Sequence, residues 1–421
     1  MKKTLIAFAA AAALTTSAFA EITFGAWLRA LAAPVASDGK DTVASMGNSW
    51  GWGARTARLD VHARSEDGNI GFEMGVFNDV GGIAMGDDAF IWGKPVDAVK
   101  ISMGKYDNNT LRGDCCYGSW NWLRPTDTWI AEDEGLLMSG NGGTGLLAEI
   151  TPVDGLYIQA LIPVDTNAKK VEDVYKNIQA GFAYDIDSVG KIKAQFIGKN
   201  KAKTEKVTGA WVDEKGEEAV FSKKAALAGD ITYDPTKEVG KDEDGSFNKT
   251  IEAEFDLTAV ENLWLGLGFQ YNMFGEKKVG YKQNAMKIAL GAKYQATDMI
   301  GLSASAAFFT FNKDDDKKVD PRFQAGVGVD AAVADGVSVS ADVRYLSAYK
   351  YDGKKADNSD SLAFSVGATK NISSNGYMGV AFQAQTNSGT FANNVICGKT
   401  NDDCEPKKLT WCVPVALSCW F

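Results

Sequence analysis

Apolar side chains recur at every second position in segment after segment of this chain. Ile22-Phe24-Ala26-Leu28 is one such stripe and Ala57-Leu59-Val61-Ala63 is another, which Glu66-Asp67-Gly68 turns directly into Ile70-Phe72-Met74-Val76. Further along, Ile251-Ala253-Phe255-Leu257 passes through Ala259-Val260-Glu261-Asn262 into Leu263-Leu265-Leu267-Phe269. Phe323-Ala325-Val327-Val329 passes through Ala334-Asp335-Gly336 into Val337-Val339-Ala341-Val343-Tyr345. The opposite faces hold Gly, Ser, Gln and charged residues. Alternation with a period of two marks a strand with one apolar face.

The pattern predicts eighteen strands, at roughly 21–31, 53–65, 68–78, 88–94, 98–106, 144–151, 155–163, 176–186, 190–199, 248–258, 262–273, 285–295, 299–311, 321–331, 336–349, 360–370, 376–387 and 408–421. Short turns join them at one end and long polar loops at the other. Sixteen is the competing count, and Ala225-Leu227-Gly229-Ile231-Tyr233 is a further strand candidate within the polar segment 200–247, read here as a fold inside an external loop. Strands of about ten residues, apolar outward and polar inward, are the signature of a transmembrane antiparallel β-barrel. Within hydrocarbon every backbone N–H and C=O needs an internal partner, so the sheet must close. Pro414 in the last strand lacks a donor and is expected at an irregular or rim position.

The amino end changes the picture by supplying an export route. Lys2 and Lys3 precede an apolar run from Leu5 to Leu14, and Ser17-Ala18-Phe19-Ala20 offers small residues for cleavage before Glu21. This reads as a signal peptide over 1–20, followed by the barrel over 21–421, because the run is too short for a membrane span. No later stretch reaches the roughly 20 apolar residues of a spanning helix. The net charge of −10 argues against nucleic-acid binding.

Six cysteines in an exported chain point to disulfides. Cys397 and Cys404 bracket Gly-Lys-Thr-Asn-Asp-Asp and are the easiest pair to close. Cys412 and Cys419 lie on opposite faces of one strand, about 23 Å apart at about 3.3 Å per residue, and cannot bridge each other. The spacing lacks the short clamps of zinc sites, so no metal is expected. No cofactor motif, nucleophile elbow or metalloprotease motif occurs, and His62, the only histidine, shares a strand face with Arg58 and Arg64. The chain is not expected to be an enzyme.

A barrel of this strand number encloses an aqueous channel, so chemistry should lie in whatever narrows it. The segment 107–143, the third external loop, carries Trp120, Trp122, Trp129, Cys115-Cys116 and the acidic run Glu132-Asp133-Glu134. Its length and aromatic content predict a packed loop that folds inward. Facing it, the second strand presents Thr56, Arg58, Asp60, His62 and Arg64 to the interior. Bases on one wall opposed by loop acids make a transverse field that filters small polar solutes.

The last strand alternates through Leu409, Trp411, Val413, Val415, Leu417, Cys419 and Phe421, and resembles the carboxyl-terminal assembly signal of outer-membrane barrels. Ala89-Phe90-Ile91-Trp92-Gly93-Lys94 and Val99-Lys100-Ile101-Ser102-Met103-Gly104-Lys105 resemble the hairpin that leads into the constriction loop of general diffusion porins. The loop that follows departs from the enterobacterial pattern, reading Asn109-Thr110-Leu111-Arg112-Gly113 and then Cys115-Cys116. The stretch from Phe90 to Gly113 looks more like porin-type proteins of spirochaetes. The resemblance implies a place in the bacterial outer membrane, passive diffusion of small hydrophilic solutes, and a homotrimer. It also implies a loop-acid role for Glu132, Asp133 and Glu134 and a wall-base role for Arg58 and Arg64. Phe421, Cys419, Leu417 and Val415 would be read by the barrel-assembly machinery, and outer-membrane lipid would surround the wall. A barrel serving mainly as a surface adhesin or antigen, with its pore closed by loops, is the alternative.

Overall fold

The computed structural model describes residues 21–37, 39–45, 57–79, 82–114, 123, 136–164, 171–198, 207–213, 215, 231–239, 248–274, 284–311, 318–357, 359–387 and 409–421. Residues 1–20, and with them the signal-peptide expectation, lie outside this set.

Eighteen antiparallel strands close into one barrel. They are β1 (Glu21–Ser37), β3 (Ala57–Arg64), β4 (Ile70–Asp79), β5 (Gly82–Val96), β6 (Val99–Asn108), β7 (Asn141–Val153), β8 (Leu156–Pro163), β9 (Gln179–Ile186), β10 (Gly190–Gly198), β13 (Asn248–Leu257), β14 (Leu263–Phe274), β15 (Asn284–Thr297), β16 (Ile300–Phe311), β17 (Arg322–Ala334), β18 (Val337–Leu346), β21 (Ser361–Ser373), β22 (Gly376–Thr386) and β23 (Leu409–Trp420). Each predicted strand overlaps one of these, and sixteen is excluded. The remaining strands lie at the loop end: β2 (Thr42–Ser45) pairs with β1, while β11 (Val207–Asp213) with β12 (Ile231–Val239), and β19 (Lys350–Tyr351) with β20 (Lys354–Lys355), form separate hairpins. β10 pairs directly with β13, so the described strands of segment 200–247, β11 and β12, stand outside the wall, while residues 216–230, with most of the Ala225–Tyr233 strand candidate, lie outside the described residues. A single turn of helix, α1 (Val171–Tyr175), precedes β9.

The wall is inverted relative to a water-soluble protein. Phe24, Ile91, Met103, Leu290, Val327 and Val366 are each more than half exposed outside, whereas Gln159, Lys193, Glu252, Asp256, Lys287 and Arg344 are buried inside. On β17 the outward stripe runs from Phe323 to Val333. At about 3.3 Å per residue and a tilt near 40°, it spans about 25 Å of height, the thickness of an outer-membrane apolar band. Aromatics mark one margin of that band: Phe323 and Tyr345 meet at 5.7 Å, Phe364 and Phe382 at 6.0 Å, and Phe382 stacks on Trp411 at 6.0 Å.

Closure is made between β1 and β23. Trp27 pairs with Trp420 and Leu28 with Cys419, and Ala26 and Phe421 exchange two backbone hydrogen bonds of 3.0 and 2.8 Å. The register shifts between Ala32 and Val35, opposite Val415 and Val413. Pro34 and Pro414 both fall in this bulge, where two missing N–H donors disrupt the ladder least. Among the described cysteines Cys412 and Cys419 are free. Cys115, Cys116, Cys397 and Cys404 lie outside the described residues.

Candidate functional site

The loop between β6 and β7 enters the barrel. Leu111 packs with Met138 and Ala183, and a Cβ at Gly181 would lie 2.6 Å from Leu111 Cδ1. Leu123 lies against Gly379 on β22, across the ring from the strands the loop connects. Leu136 and Leu137, both fully buried, settle on Ala289, Ala307, Phe309, Leu346 and Ala363, an apolar patch on the inner wall. Each leucine buried there contributes roughly 2 kcal/mol to docking. Their φ angles of 51° and 73° are in the left-handed region that ordinary residues avoid. Gly266 and Gly268 provide the clearance, since a Cβ at 268 would overlap the carbonyl oxygen of Leu136.

Polar contacts fix both arms of this loop to β13. Ser139 donates from its backbone N at 2.9 Å and from Oγ at 2.8 Å to the Glu252 carboxylate, which also accepts from Gln195 at 2.6 Å and Gln270 at 2.8 Å. On the outgoing arm, Asp114 N donates to Glu254 Oε1 at 3.2 Å, and Lys193 Nζ donates to the Arg112 carbonyl at 3.3 Å. Lys193 also lies 3.6 Å from Glu254 and 3.4 Å from Asp256. A carboxylate removed from water needs such charge-assisted bonds, so the latch accounts for acids on an otherwise buried stretch of wall.

The basic ladder on β3 faces the interior as its alternation predicts, but the described residues give its charges wall partners. Arg58 lies between Asp60, at 2.5 Å, and Asp88, at 2.8 Å, with its guanidinium 5.3 Å from the Phe77 ring centroid. It lies flat across Gly75, where a Cβ would stand 2.8 Å from its Nε. Toward the short-turn mouth, Arg64 pairs with Glu21, and His62 Nδ1 lies 3.7 Å from Glu73. These four residues border a recess of about 290 Å³ that also includes Trp92. Arg58 and Asp60 are thus brought together, while His62 and Arg64 form a separate group nearer the mouth. Glu132, Asp133 and Glu134 lie outside the described residues.

Asp88, Ser139 and Glu252 were missed as site residues. The alternation places Glu252 inside, but only the fold reveals its partner 113 positions away. The signal available was the apolar run Leu136-Leu137-Met138 directly after an acidic tract, which marks a foot rather than an external tip.

No family model matches the chain, and no curated protein matches it. Among solved structures it is similar to the outer membrane channel DcaP of Acinetobacter baumannii, with 10% identity, a TM-score of 0.47, and coverage of 95% of this chain and 97% of that one. It is also similar to an anion-selective porin from Comamonas acidovorans (12% identity, TM-score 0.44, 95% and 99% coverage). A third is OmpT of Vibrio cholerae, at 13% identity, a TM-score of 0.42, and 95% and 97% coverage. At that distance no residue role carries over. Closure, even strand number, inverted polarity and an apolar band of bilayer height make this chain an outer-membrane-type transmembrane β-barrel of eighteen strands.

Proposed function

We propose that the protein is a passive channel for small hydrophilic solutes or ions across the bacterial outer membrane. The observation that carries this reading is a polar inner wall with a loop drawn into the lumen and latched to Glu252 and Glu254. An eighteen-stranded wall is wide enough for water, and a docked loop narrows the lumen without sealing it by strand geometry. Selectivity on this reading arises between the latched loop and the Arg58, Asp60 and Asp88 group on the opposing wall. Residues 1–20 serve as the export signal. Purified protein in planar bilayers should give stepwise conductance; a silent membrane containing folded barrels would refute the channel.

The folded hairpin β11–β12 at the loop end supports a second reading, in which the outer surface recognises other molecules. That role can coexist with conduction.

A further inference from the structure

Trp420 breaks a rule kept by the rest of its strand face. Thr410, Cys412, Pro414, Ala416 and Ser418 point inward and are buried, whereas Trp420, the next inward residue, is 45% exposed. Directly opposite it in register stands Trp27 on β1. The two indoles lean to opposite sides. Trp27 meets Phe77 on β4 edge to face at 5.8 Å, and the Arg29 guanidinium lies 4.4 Å from its ring centroid. Trp420 meets Tyr377 on β22 at 6.5 Å. A groove is left between them. An indole kept exposed in a wet lumen forgoes the free energy of burial, which a stacked solute would restore.

Gly25 forms the floor. A Cβ there would come no nearer than 3.7 Å to Asp60 Cβ and to the Phe421 carbonyl oxygen, with neither indole within 4 Å. Asp60 faces Gly25 across the β1–β3 ladder, and Thr23 follows on the same face. Two strand spacings, about 10 Å, separate Trp420 from Asp60, which leaves room for one six-membered ring between an indole and a carboxylate. Asp60 accepts from Arg58 through Oδ1 at 2.5 Å, and its Oδ2 has no donor among the described residues. The hydroxyls of Thr23 and Tyr377 and both indole N–H groups likewise make no hydrogen bond among the described residues, and Thr23 is exposed to the lumen. Leu123 of the inner loop lies on Gly379, two positions from Tyr377 on the same face, so the groove adjoins the narrowed part of the lumen.

We propose that this groove binds pyranosides, with one sugar ring stacked on Trp420 and its hydroxyls answered by Asp60, Thr23 and Tyr377. The negative face of an indole attracts the polarised C–H bonds on one side of a pyranose. At the other edge a carboxylate oxygen accepts a sugar hydroxyl in a charge-assisted bond, and two protein hydroxyls can donate or accept. An acyclic polyol has the hydroxyls but no flat apolar face. A plain aromatic would stack, yet leave the polar edge stripped of water and unpaired. The assignment rests on the channel reading for its place on a solute path, and names the class of solute.

Titration calorimetry tests it on the barrel folded in an amine-oxide detergent, which has no sugar headgroup, with cellobiose, mannitol and benzyl alcohol as probes. Cellobiose should bind saturably, with mannitol and benzyl alcohol far weaker. Trp420→Ala should weaken cellobiose binding about tenfold, as loss of one aromatic stack does, and Trp420→Phe should retain most of it. Gly25→Leu meets only ordinary contacts at its Cβ and fills the groove, so it should abolish binding. The site is refuted if mannitol or benzyl alcohol binds as tightly, or if cellobiose gives no saturable heat. It is equally refuted if Trp420→Ala or Gly25→Leu binds like the parent, or if Trp420→Phe loses as much as Trp420→Ala. Should Trp420→Ala fail to fold, Gly25→Leu and the ranking of the three probes on the parent decide. Conductance without cellobiose binding refutes this site alone, and binding without conductance refutes the channel alone.

Discussion

Glu252 shows how much one buried side chain can hold. Its two oxygens receive Ser139, Gln195 and Gln270, so neutralising it weakens several charge-assisted bonds at once. Glu252→Gln keeps the shape and replaces an acceptor with a donor that faces other donors. The expected loss is about 1–3 kcal/mol of loop docking, seen as open-channel noise and a larger unit conductance in single-channel records; traces matching the parent would show that the latch is not what narrows the lumen. Asp67 makes a smaller argument outside the membrane. Ser65 Oγ donates to it at 2.5 Å and Asn69 donates from its backbone N at 3.1 Å, and these bonds hold its carboxyl below the usual carboxylate range. A group depressed in the folded state stabilises above its unfolded pKa, and that contribution disappears as pH falls through the folded pKa. The protection factor of the Asn69 amide, its exchange rate taken relative to the intrinsic rate at each pH, should therefore fall in acid, and Asp67→Asn should remove that dependence; an unchanged profile would detach the turn from this carboxyl. Arg58, Asp60, His62 and Arg64 were readable as inward residues because alternation fixes the face. Their partners were not readable, because Asp88 and Glu73 reach them through strand register, which no local pattern encodes.

At the scale of elements, the eighteen staves were legible because each must satisfy two solvents, lipid outside and water inside, and so writes a strict alternation into sequence. Their ends were less legible. β5 begins at Gly82 and β7 at Asn141, in polar, glycine-rich stretches where hydrogen bonding continues after the apolar stripe has stopped. The loop foot was least legible, since Leu136 and Leu137 dock on a wall patch assembled from β15, β16, β18 and β21. The last strand allows a prediction about assembly. Phe421 is 75% exposed on the lipid side, while its backbone, not its ring, bonds to Ala26. Phe421→Ser should consequently refold in detergent as well as the parent, yet reach the membrane in lower yield in cells. Equal loss in both settings would make the residue a structural rivet instead of a signal.

At the scale of the molecule, the barrel and its external hairpins are separable. β10 pairs directly with β13, from Gly190 with Leu257 to Gly198 with Lys249, so the wall is continuous beneath the segment that carries β11 and β12. Replacing residues 200–246 with a short Gly-Ser linker should leave barrel yield and unit conductance unchanged, and remove any binding that belongs to the outer surface. A drop in conductance would assign that segment to the pore. The β1–β23 junction has a consequence of another kind, in the order of events. It pairs Ala26 with Phe421, residues from nearly opposite ends of the chain. Contacts of such long sequence separation form slowly, because the intervening loop entropy is paid before they repay it. Until the final strand arrives, β1 offers a bare row of donors and acceptors to any neighbouring strand. The ring has no stable half: its earliest-made strand waits for its latest, and the whole chain must be kept from pairing elsewhere until that moment.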